Sequence, residues 1–478
     1  MPLTAADTRL VEAARRGDES AVRRLLREGL AVDTPAADGA TALHWAARGD
    51  RLALVQVLVE AGADVNAANR YGVSPLALAA INGSAPVVAA LLAAGANPNA
   101  ASPDGETALM LASRTGRADA VRRLIDRGAD VDAREKWQGE TALMWAAGHD
   151  HGDVVRLLAA RGADLNARSV VPELPKVKVD AATMVTTALP RGGLTALMFA
   201  ARQGAAEGIR ALIDAGADLN ASDPDGTSAL VIAIINAHYD AAALLIDAGA
   251  SPAAADNAGM TPLYAAVDMQ HQEPLINRPL PKPSGRLRAA DIAGRLLDRG
   301  ADPNAPLKTP LLMRQHNGGD GQLGEGATAL MRAAKVSDVA LMRLLLARGA
   351  DPARRLRNGT TALAIAVARS ARNGGPEAAT MEAASLLVQH GADVNAANDS
   401  GETALHVAVT RSDALVRHLA TLGADLAAVD KFGRRPLDVA LGVPGGAGRG
   451  RGGAPPAKPP VRESTAALLR ELMKARGL

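Results

Sequence analysis

Short segments of one apolar pattern recur along the chain at a nearly constant spacing. "TALHWAA" begins at Thr41, "SPLALAA" at Ser74, "TALMLAS" at Thr107 and "TALMWAA" at Thr141, so successive copies are 33, 33 and 34 residues apart. A weaker copy begins at Thr8. The pattern resumes at Thr195, Ser228, Thr261, Thr328, Thr361, Thr403 and Arg435. A fixed period of this length is typical of a repeat architecture. In each copy Thr or Ser is suited to begin a helix, because its side-chain oxygen accepts a backbone N–H of the first turn.

A second motif follows each copy and predicts how the repeating unit ends. "LVEAGADVNA" surrounds Gly62, "LLAAGANPNA" surrounds Gly95 and "LIDRGADVDA" surrounds Gly128. Glycine directly after a second helix fits a left-handed backbone position, and the following Asp and Asn favour a turn. The small Ala-Ala pair of the first motif lets the second helix lie close behind the first. Each unit leaves an apolar face that only its neighbour can cover, so stability accumulates along the array.

These two motifs resemble the ankyrin repeat, whose consensus is T-P-L-H-x-A-A, a second helix, and then G-A-D-x-N. The resemblance extends over nearly the whole chain in about twelve copies, numbered here from Thr8. It implies an all-α repeat solenoid with β-hairpin fingers and three long insertions. The spacing and the extra lengths predict an N-terminal capping repeat 1–33, repeats 2–5 in 34–168, a finger insertion 169–193, repeats 6–11 and the first helix of the twelfth in 194–441, insertions 271–288, 305–326 and about 371–379, a flexible Gly/Pro/Arg linker 442–462 and a closing helix 463–478.

One insertion contains a pattern that also occurs in nucleotide-binding proteins. Gly319, Gly321 and Gly324 match G-x-G-x-x-G and precede a helix. That fingerprint needs a hydrophobic strand before it and a βαβ unit around it. Here "PLKTPLLMRQHN" with two prolines precedes the glycines, and "TALMRAA" after them is a first helix of the repeat. We therefore interpret the glycines as the tip of an enlarged finger and predict no cofactor.

Composition narrows the class of protein further. Basic and acidic residues number 53 and 51, so the body of the chain has no basic field that would suit nucleic acid. The absence of Cys excludes disulfides, thiolate metal sites and a cysteine nucleophile. No apolar run reaches the ~18 residues that span a bilayer, and the first residues lack the pattern of a signal peptide. A cytoplasmic location is expected for the chain as written, and a periplasmic or exported one if a leader was trimmed.

The few aromatic residues are the candidate binding residues. Trp45, Trp145 and Phe199 share one register position in first helices, and Tyr264 lies one position earlier. In ankyrin folds the first helices and fingertips line the concave side, where aromatic side chains can anchor a partner. The register position of the first three also often packs into the repeat core, and that alternative stays open. At predicted fingertips, just before the turn glycine, lie Tyr71, Trp137 and Phe432.

Four first helices have Met where the ankyrin consensus has His. In the family that imidazole forms hydrogen bonds between neighbouring turns, which Met cannot do. These junctions are therefore looser, or the apolar surface of the Met side chains is used for binding. The favoured interpretation is that the Met side chains only pack in the repeat core. The substituted positions are Met110, Met144, Met198 and Met331, whereas His44 and His406 retain the consensus residue.

The long insertions add a charge signal. Together they contain nine basic and five acidic residues, including Lys176, Lys178 and Arg314, with His316 in the same finger as Arg314. If the fingers overhang a groove, its middle is more positive than its flanks and suits an acidic peptide segment. The alternative is that these charges only keep long loops soluble.

The sequence favours a non-catalytic scaffold that binds a protein or peptide in the groove of the solenoid, centred on repeats 5–9. The alternative is a small-molecule or enzymatic site roofed by insertions 169–193 and 305–326. No recognised catalytic motif occurs. Enzyme activity is therefore uncertain, and a protein without it is the favoured interpretation. "GHDHGD", with His149 and His151, offers metal-ligand types, but adjacent loop residues rarely converge on an ion, and no metal is predicted. The length and inserted fingers resemble bacterial multi-repeat ankyrin proteins; a monomer without membrane or nucleic-acid partners is expected.

Overall fold

The computed structural model describes residues 7–171, 192–270, 281–309, 323–368, 377–445 and 459–478. These residues contain 24 α-helices and three isolated antiparallel β-bridges. The chain divides into two compact units, Met1–Ser251 and Pro252–Leu478. That boundary falls within the block 194–441 that the sequence pattern treats as continuous. The architecture is that of an α-helical repeat solenoid, and the number of repeats stays a prediction.

The helices of each unit are short and alternate between two kinds, which we call first helices (odd numbers) and second helices (even numbers). Unit 1 contains α1 (Arg9–Arg16), α2 (Glu19–Arg27), α3 (Ala42–Arg48), α4 (Leu52–Glu60), α5 (Pro75–Asn82), α6 (Ala85–Ala93), α7 (Ala108–Arg114), α8 (Ala118–Asp126), α9 (Ala142–Gly148), α10 (Gly152–Ala160), α11 (Ala196–Gln203), α12 (Ala206–Asp214), α13 (Ala229–Ile235) and α14 (Tyr239–Asp247). Unit 2 contains α15 (Pro262–Gln270), α16 (Ala289–Asp298), α17 (Ala329–Lys335), α18 (Val339–Ala347), α19 (Ala362–Val367), α20 (Glu377–Gln389), α21 (Ala404–Val409), α22 (Asp413–Thr421), α23 (Pro436–Ala440) and α24 (Glu463–Ala475).

Within each unit every helix packs on its partner in the pair, and most helices also pack on the equivalent helix of the next repeat. In unit 1 the row of first helices runs from α1 to α13 without a break, and the row of second helices from α2 to α14. In unit 2, α24 packs on both α22 and α23. The Leu and Ala side chains of the repeated motif are buried between the two rows, as at Leu143 and Ala146. The core is therefore a thin double layer, in which each unit covers the apolar face of its neighbour.

The expected N-caps are present at most first helices. Thr107 Oγ1 accepts the backbone N–H of Met110 at 3.3 Å, and Thr195 Oγ1 accepts that of Met198 at 3.4 Å. Ser74 does the same for Ala77. The weaker first copy differs, because Thr8 makes no capping bond through its side chain. The prediction that Thr or Ser begins these helices is thus confirmed for the regular copies.

The consensus histidines and their methionine replacements behave differently. His44 Nδ1 pairs with Thr41, while its Nε2 lies 3.0 Å from the carbonyl oxygen of Val73 in the next finger. His406 makes the equivalent contact with the carbonyl oxygen of Arg434 at 3.1 Å. The four methionines are almost completely buried, so they fill the same space by packing. Packing, the favoured interpretation of these positions, is confirmed.

In most repeats the turn between the two helices contains a residue with left-handed backbone, as does the turn after the second helix. Gly116 has φ +72°, and a Cβ atom there would lie 2.5 Å from Nδ1 of His151 in the next repeat. His151 Nε2 lies 3.0 Å from the carbonyl oxygen of Arg114, at the end of α7. Glycine at this position therefore lets the next repeat approach closely enough to cap the preceding first helix.

Side chains of the turn after most second helices form hydrogen bonds from one repeat to the next. Asn99 Oδ1 accepts the backbone N–H of Asp130 at 2.8 Å, and its Nδ2 donates to the carbonyl oxygen of Gly128 at 2.9 Å. Further carboxylate or amide oxygens accept from the next turn at Asp33, Asn66, Asp132, Asn166, Asn220, Asn304 and Asn395. These bonds satisfy backbone groups that helix ends and turns would otherwise leave unpaired.

The fingers between repeats are closed by their own backbone hydrogen bonds and joined to neighbouring fingers by others. Three of them have a single internal bridge, which joins Ala101 to Thr107, Ser222 to Ser228 and Arg355 to Thr361. Neighbouring fingers are linked by backbone bonds, such as Arg70 N–H to the carbonyl oxygen of Asp38 at 2.9 Å. In the described part of the chain the expected β-hairpins are thus reduced to single bridges, because such short fingers place few backbone groups opposite each other.

Repeats 5 and 6 stay in direct contact although an insertion separates them in sequence. α9 packs on α11 and α10 on α12. Asp150, with a left-handed φ of 63°, accepts the backbone N–H groups of Glu207 and Gly208 through Oδ1, at 2.7 and 3.0 Å. Asp150 thereby acts as an N-terminal cap for α12 from the previous repeat. Ser169 N–H also donates to the carbonyl oxygen of Leu194, at 3.0 Å, which closes the base of the insertion.

We expect Gly116→Ala to destabilise the protein more than Gly128→Ala. Both glycines have left-handed φ angles, so each substitution introduces a strain of about 1–2 kcal/mol. Nothing lies within 4 Å of the new Cβ at Gly128, whereas at Gly116 it would displace His151 and its hydrogen bond, adding about 1 kcal/mol. Midpoints of urea unfolding, followed by far-UV circular dichroism, measure the difference. Equal losses would show that the close approach of His151 contributes nothing.

We expect Asn99→Ala to lower stability by about 1 kcal/mol, because it removes both bonds to the next turn. Asn99→Asp keeps an acceptor for Asp130 N–H and loses only the donor to Gly128, so its loss should be smaller. The natural aspartates at equivalent turn positions, such as Asp132, show that a carboxylate serves as the acceptor. The same urea titration checks this order. Alanine and aspartate variants of equal stability would mean that the acceptor bond is not stabilising.

Candidate binding surface

Two register positions of the first helices in unit 1 form one surface, which we call the first-helix face. The residues one, two, five and six positions after the N-cap pack into the core, as Ala142, Leu143, Ala146 and Ala147 do. Positions four and seven are one helical turn apart on another side. Position four holds Trp45, Trp145 and Phe199, and position seven holds Arg15, Arg48, Arg114 and Arg202.

Each of the three rings at position four has at least one guanidinium group over it. Arg15 and Arg48 lie 5.2 and 5.3 Å from the ring centre of Trp45. The corresponding distance is 4.9 Å from Arg114 to Trp145 and 4.8 Å from Arg202 to Phe199. Such stacks are worth about 0.5–1 kcal/mol at exposed sites. They hold flexible arginine side chains over apolar rings, which orders positive charge on the first-helix face before any partner binds.

The exposures of the predicted aromatic residues separate them into two groups. Trp145 and Phe199 are 9 % and 6 % exposed, so packing uses most of each ring. Tyr264, at 1 % exposure, lies in the core of unit 2 and is not included in the surface. Tyr71 and Trp137 are 70 % and 82 % exposed at the tips of fingers of unit 1. The fingertips thus present aromatic surface to solvent, whereas the first-helix face presents ring edges beneath arginines.

The finger that holds Trp137 is shaped by a buried carboxylate. Glu135 Oε1 accepts the backbone N–H groups of Gln138 and Glu140, both at 2.8 Å, while its Oε2 accepts that of Trp137 at 2.5 Å. In other fingers a shorter Asp or Asn does this, as Asn69 does for Tyr71. This finger belongs to the copy with the 34-residue spacing, and the longer Glu side chain spans its extra residue.

Glu140 lies at the base of the same finger, beside Trp145. Desolvation by the protein raises the pKa of its carboxyl group, and a side-chain hydrogen bond with Trp145 works in the opposite direction. The nearby charge of Glu135 raises the pKa further, whereas Arg202 and His149 lower it. The indole nitrogen can only donate, so the carboxyl oxygen is the acceptor. Trp145 is therefore held between a guanidinium on its face and a carboxyl at its N–H.

Sequence reasoning missed the arginines and Glu140. The signal for the arginines was present, because four first helices of unit 1 have Arg seven residues after the N-cap. Their importance depends on contacts between repeats, since Arg15 and Arg114 each stack on a ring of the following repeat. In unit 2, position four of α17 holds Arg332, which forms a buried ion pair with Asp268 of α15 at 2.6 Å.

The two histidines of "GHDHGD" have structural roles. The ring nitrogen Nδ1 of His149 lies 2.9 Å from the carbonyl oxygen of Trp145, and the two imidazoles stack with centroids 6.3 Å apart. His151 Nε2 contacts the carbonyl oxygen of Arg114, as described above. Among the residues that the structure describes, no group of three or more His, Cys, Asp or Glu is placed to hold a metal ion.

Part of the predicted site lies outside the described residues. This applies to Lys176, Lys178, Arg314 and His316, and to most of the two finger insertions that they belong to. Their proposed contribution to a positive groove stays a prediction. No helix in the described ranges combines the length and apolar character needed to cross a membrane.

Models of the ankyrin-repeat family match most of the chain. A model of three consecutive ankyrin repeats matches residues 10–102, 87–169, 178–256 and 197–275, one of a single repeat matches 325–355, and one of many repeats matches 377–417. The chain belongs to the ankyrin-repeat family, as its two motifs indicated. None of the curated proteins compared with it matches. Ankyrin repeats generally mediate protein–protein interactions, which is consistent with a binding scaffold.

We expect Glu140→Gln to change how stability depends on pH. Because the pKa of Glu140 is raised in the folded state above its ordinary value of 4.5, ionisation destabilises the fold as the pH rises above that value. Gln stays neutral and its amide oxygen can still accept from Trp145. The stability of the variant relative to the natural protein should therefore increase from about pH 4 to about pH 7. Urea midpoints across this range measure it; a pH-independent difference would refute the raised pKa.

Proposed function

We propose that the chain is a non-catalytic scaffold that binds a protein or peptide through the first-helix face of unit 1 and the adjoining fingertips. The observation that supports this most strongly is the row of arginines stacked on Trp45, Trp145 and Phe199. Trp, Tyr and Arg are the residue types that dominate binding energy at protein interfaces. Arginines over rings lose little conformational freedom on binding, because they are already ordered.

The packing of the repeats explains why this face is available. The core uses positions one, two, three, five and six of the first helices, and the second helices cover the other side of the core. Position seven is therefore open to solvent in Arg15, Arg48 and Arg202, and position four places a largely buried ring beneath the arginine. The exposed rings of Tyr71 and Trp137 extend the same kind of chemistry to the fingertips.

The proposal includes an acidic partner segment, because the first-helix face of unit 1 is rich in guanidinium groups. Arg48 and Arg114 form no ion pair among the described residues, so their charge is available to a partner carboxylate. Such attraction mainly increases the association rate and the specificity of a complex. The placement of the groove centre at repeats 5–9, which the sequence favours, remains a prediction. The contribution of the basic residues of the insertions is a prediction as well.

We expect Arg48→Glu combined with Arg202→Glu to weaken partner binding by about tenfold or more, because it reverses charge at two ordered stacks. The matched control is Arg122→Glu with Arg156→Glu, which makes the same charge change at exposed positions of second helices. Partners captured from an extract of the source organism by the immobilised chain are identified by mass spectrometry, and their affinities are measured with each purified variant. Equal weakening by both pairs would place the partner elsewhere or reduce the effect to net charge.

A further inference from the structure

Trp45 and Trp145 occupy the same register position but have different polar surroundings. Each lies four residues after its N-cap threonine, and each has on its ring an arginine from position seven of the preceding repeat, Arg15 or Arg114. The guanidinium carbons are 5.2 and 4.9 Å from the two ring centres. Up to this point the two sites are equivalent.

The two sites differ at the positions that flank each ring. The residue before the N-cap is Glu140 at the Trp145 site and Ala40 at the Trp45 site. Position seven of the same helix is Gly148 beside Trp145, whereas at Trp45 it is Arg48, which stacks on the ring. Trp145 thus has one guanidinium and one carboxyl group, and Trp45 has two guanidinium groups and no corresponding carboxyl.

The indole N–H groups reflect this difference. Trp145 lies beside the carboxyl group of Glu140, whose pKa a side-chain interaction with Trp145 lowers. Trp45 Nε1 is buried and, within the described part of the chain, has no hydrogen-bond partner. A buried donor without an acceptor is unfavourable, because it has lost its water without gaining a bond. The Trp45 site therefore lacks one component, an acceptor with negative charge.

We propose that Trp45, Arg15 and Arg48 form a binding site for a carboxylate side chain of an acidic peptide segment. The carboxylate pairs with a guanidinium group and accepts the indole N–H, taking the place that Glu140 has at Trp145. This inference rests on the proposed function, and it specifies the chemistry of the partner at one point of the first-helix face.

A ligand reaches the buried indole N–H after one of the two arginines over the ring turns aside. Both arginine side chains are exposed, and stacking on an exposed ring is weak enough for either to turn toward a ligand. Arg48 has no ion pair among the described residues. Arg15 has an exposed contact with Glu12, whose Oε1 lies 3.6 Å from Arg15 Nη1. Exposed pairs of this kind are weak, so Glu12 competes with the ligand without blocking it.

The chemistry favours a carboxylate over other anions. A planar carboxylate matches the fork of a guanidinium group, and its second oxygen is free to accept from the indole. The site at Trp145 shows that this protein can place a carboxyl group against the same ring beneath a stacked arginine.

The test observes the three indole N–H groups directly. The full chain is labelled with ¹⁵N, its three tryptophan side-chain signals are assigned with single Trp→Phe variants, and an end-capped oligoglutamate peptide is titrated in. We expect a saturable downfield shift of the Trp45 signal, because its N–H gains a charged acceptor. The Trp145 and Trp137 signals are followed for comparison, because Trp145 already lies beside Glu140 and Trp137 is exposed at a fingertip, so we expect smaller shifts from them. Oligoglutamine and inorganic phosphate are titrated separately.

Matched variants separate this site from general charge attraction. Arg48→Gln should weaken oligoglutamate binding by about tenfold, corresponding to loss of one charged hydrogen bond. Arg123→Gln, an exposed arginine of α8, should leave it unchanged. Glu12→Gln should strengthen binding by removing the competitor. Glu140→Ala should make the Trp145 signal respond to the peptide as Trp45 does.

Each outcome decides the inference. A saturable shift of Trp45 that depends on Arg48 and is absent with oligoglutamine supports it. No shift of Trp45, an equal shift of all three indoles, or tighter binding of phosphate would overturn it. If Trp45 fails to respond while Arg48→Glu with Arg202→Glu still abolishes capture of a partner, the proposed scaffold function stands with a different partner chemistry. If both fail, the first-helix face is not the binding surface.

Discussion

The fold depends on one constraint: no repeat can cover its own apolar face or satisfy its own turn. The Leu and Ala side chains of each helix pair are buried by the next pair, and at most Gly-Ala-Asp or Gly-Ala-Asn turns a backbone N–H is bonded by the Asn or Asp of the preceding repeat. Both dependencies run between neighbours. Stability is therefore distributed along each unit, and every repeat is specified by the residues that meet the next one.

This constraint also determines where binding chemistry can develop. Positions one, two, three, five and six of a first helix are committed to packing, and fingers make backbone contacts with adjacent fingers. Position seven, the outer side of position four and the fingertips remain. In unit 1 these positions hold Trp, Phe and Arg in contact across repeats, whereas α17 in unit 2 uses position four for the ion pair of Arg332 with Asp268. One scaffold thus supports surfaces of different polarity at equivalent places.

The sequence predicted those features that depend on local chemistry. The caps at Thr107 and Thr195, the left-handed Gly62 and Gly128, and the bridging role of His44 follow from residue type and register. Features that depend on burial, or on pairs of residues from different repeats, could not be read in the same way. The raised pKa of Glu140 depends on burial beside Trp145, and the stacking of Arg114 depends on how closely two repeats approach.

The contacts of repeats 5 and 6 have a consequence for how such a chain can diversify. Asp150 caps α12 across the interruption, and the backbone of Ser169 meets that of Leu194 at its base. Among the described residues, the connection between the two repeats uses Asp150 and the two ends of the inserted segment. A change of length between the two ends leaves these contacts in place. The repeat stack then provides a fixed attachment point for connecting loops. Loops of different length can be accommodated there while the same helices stay in contact.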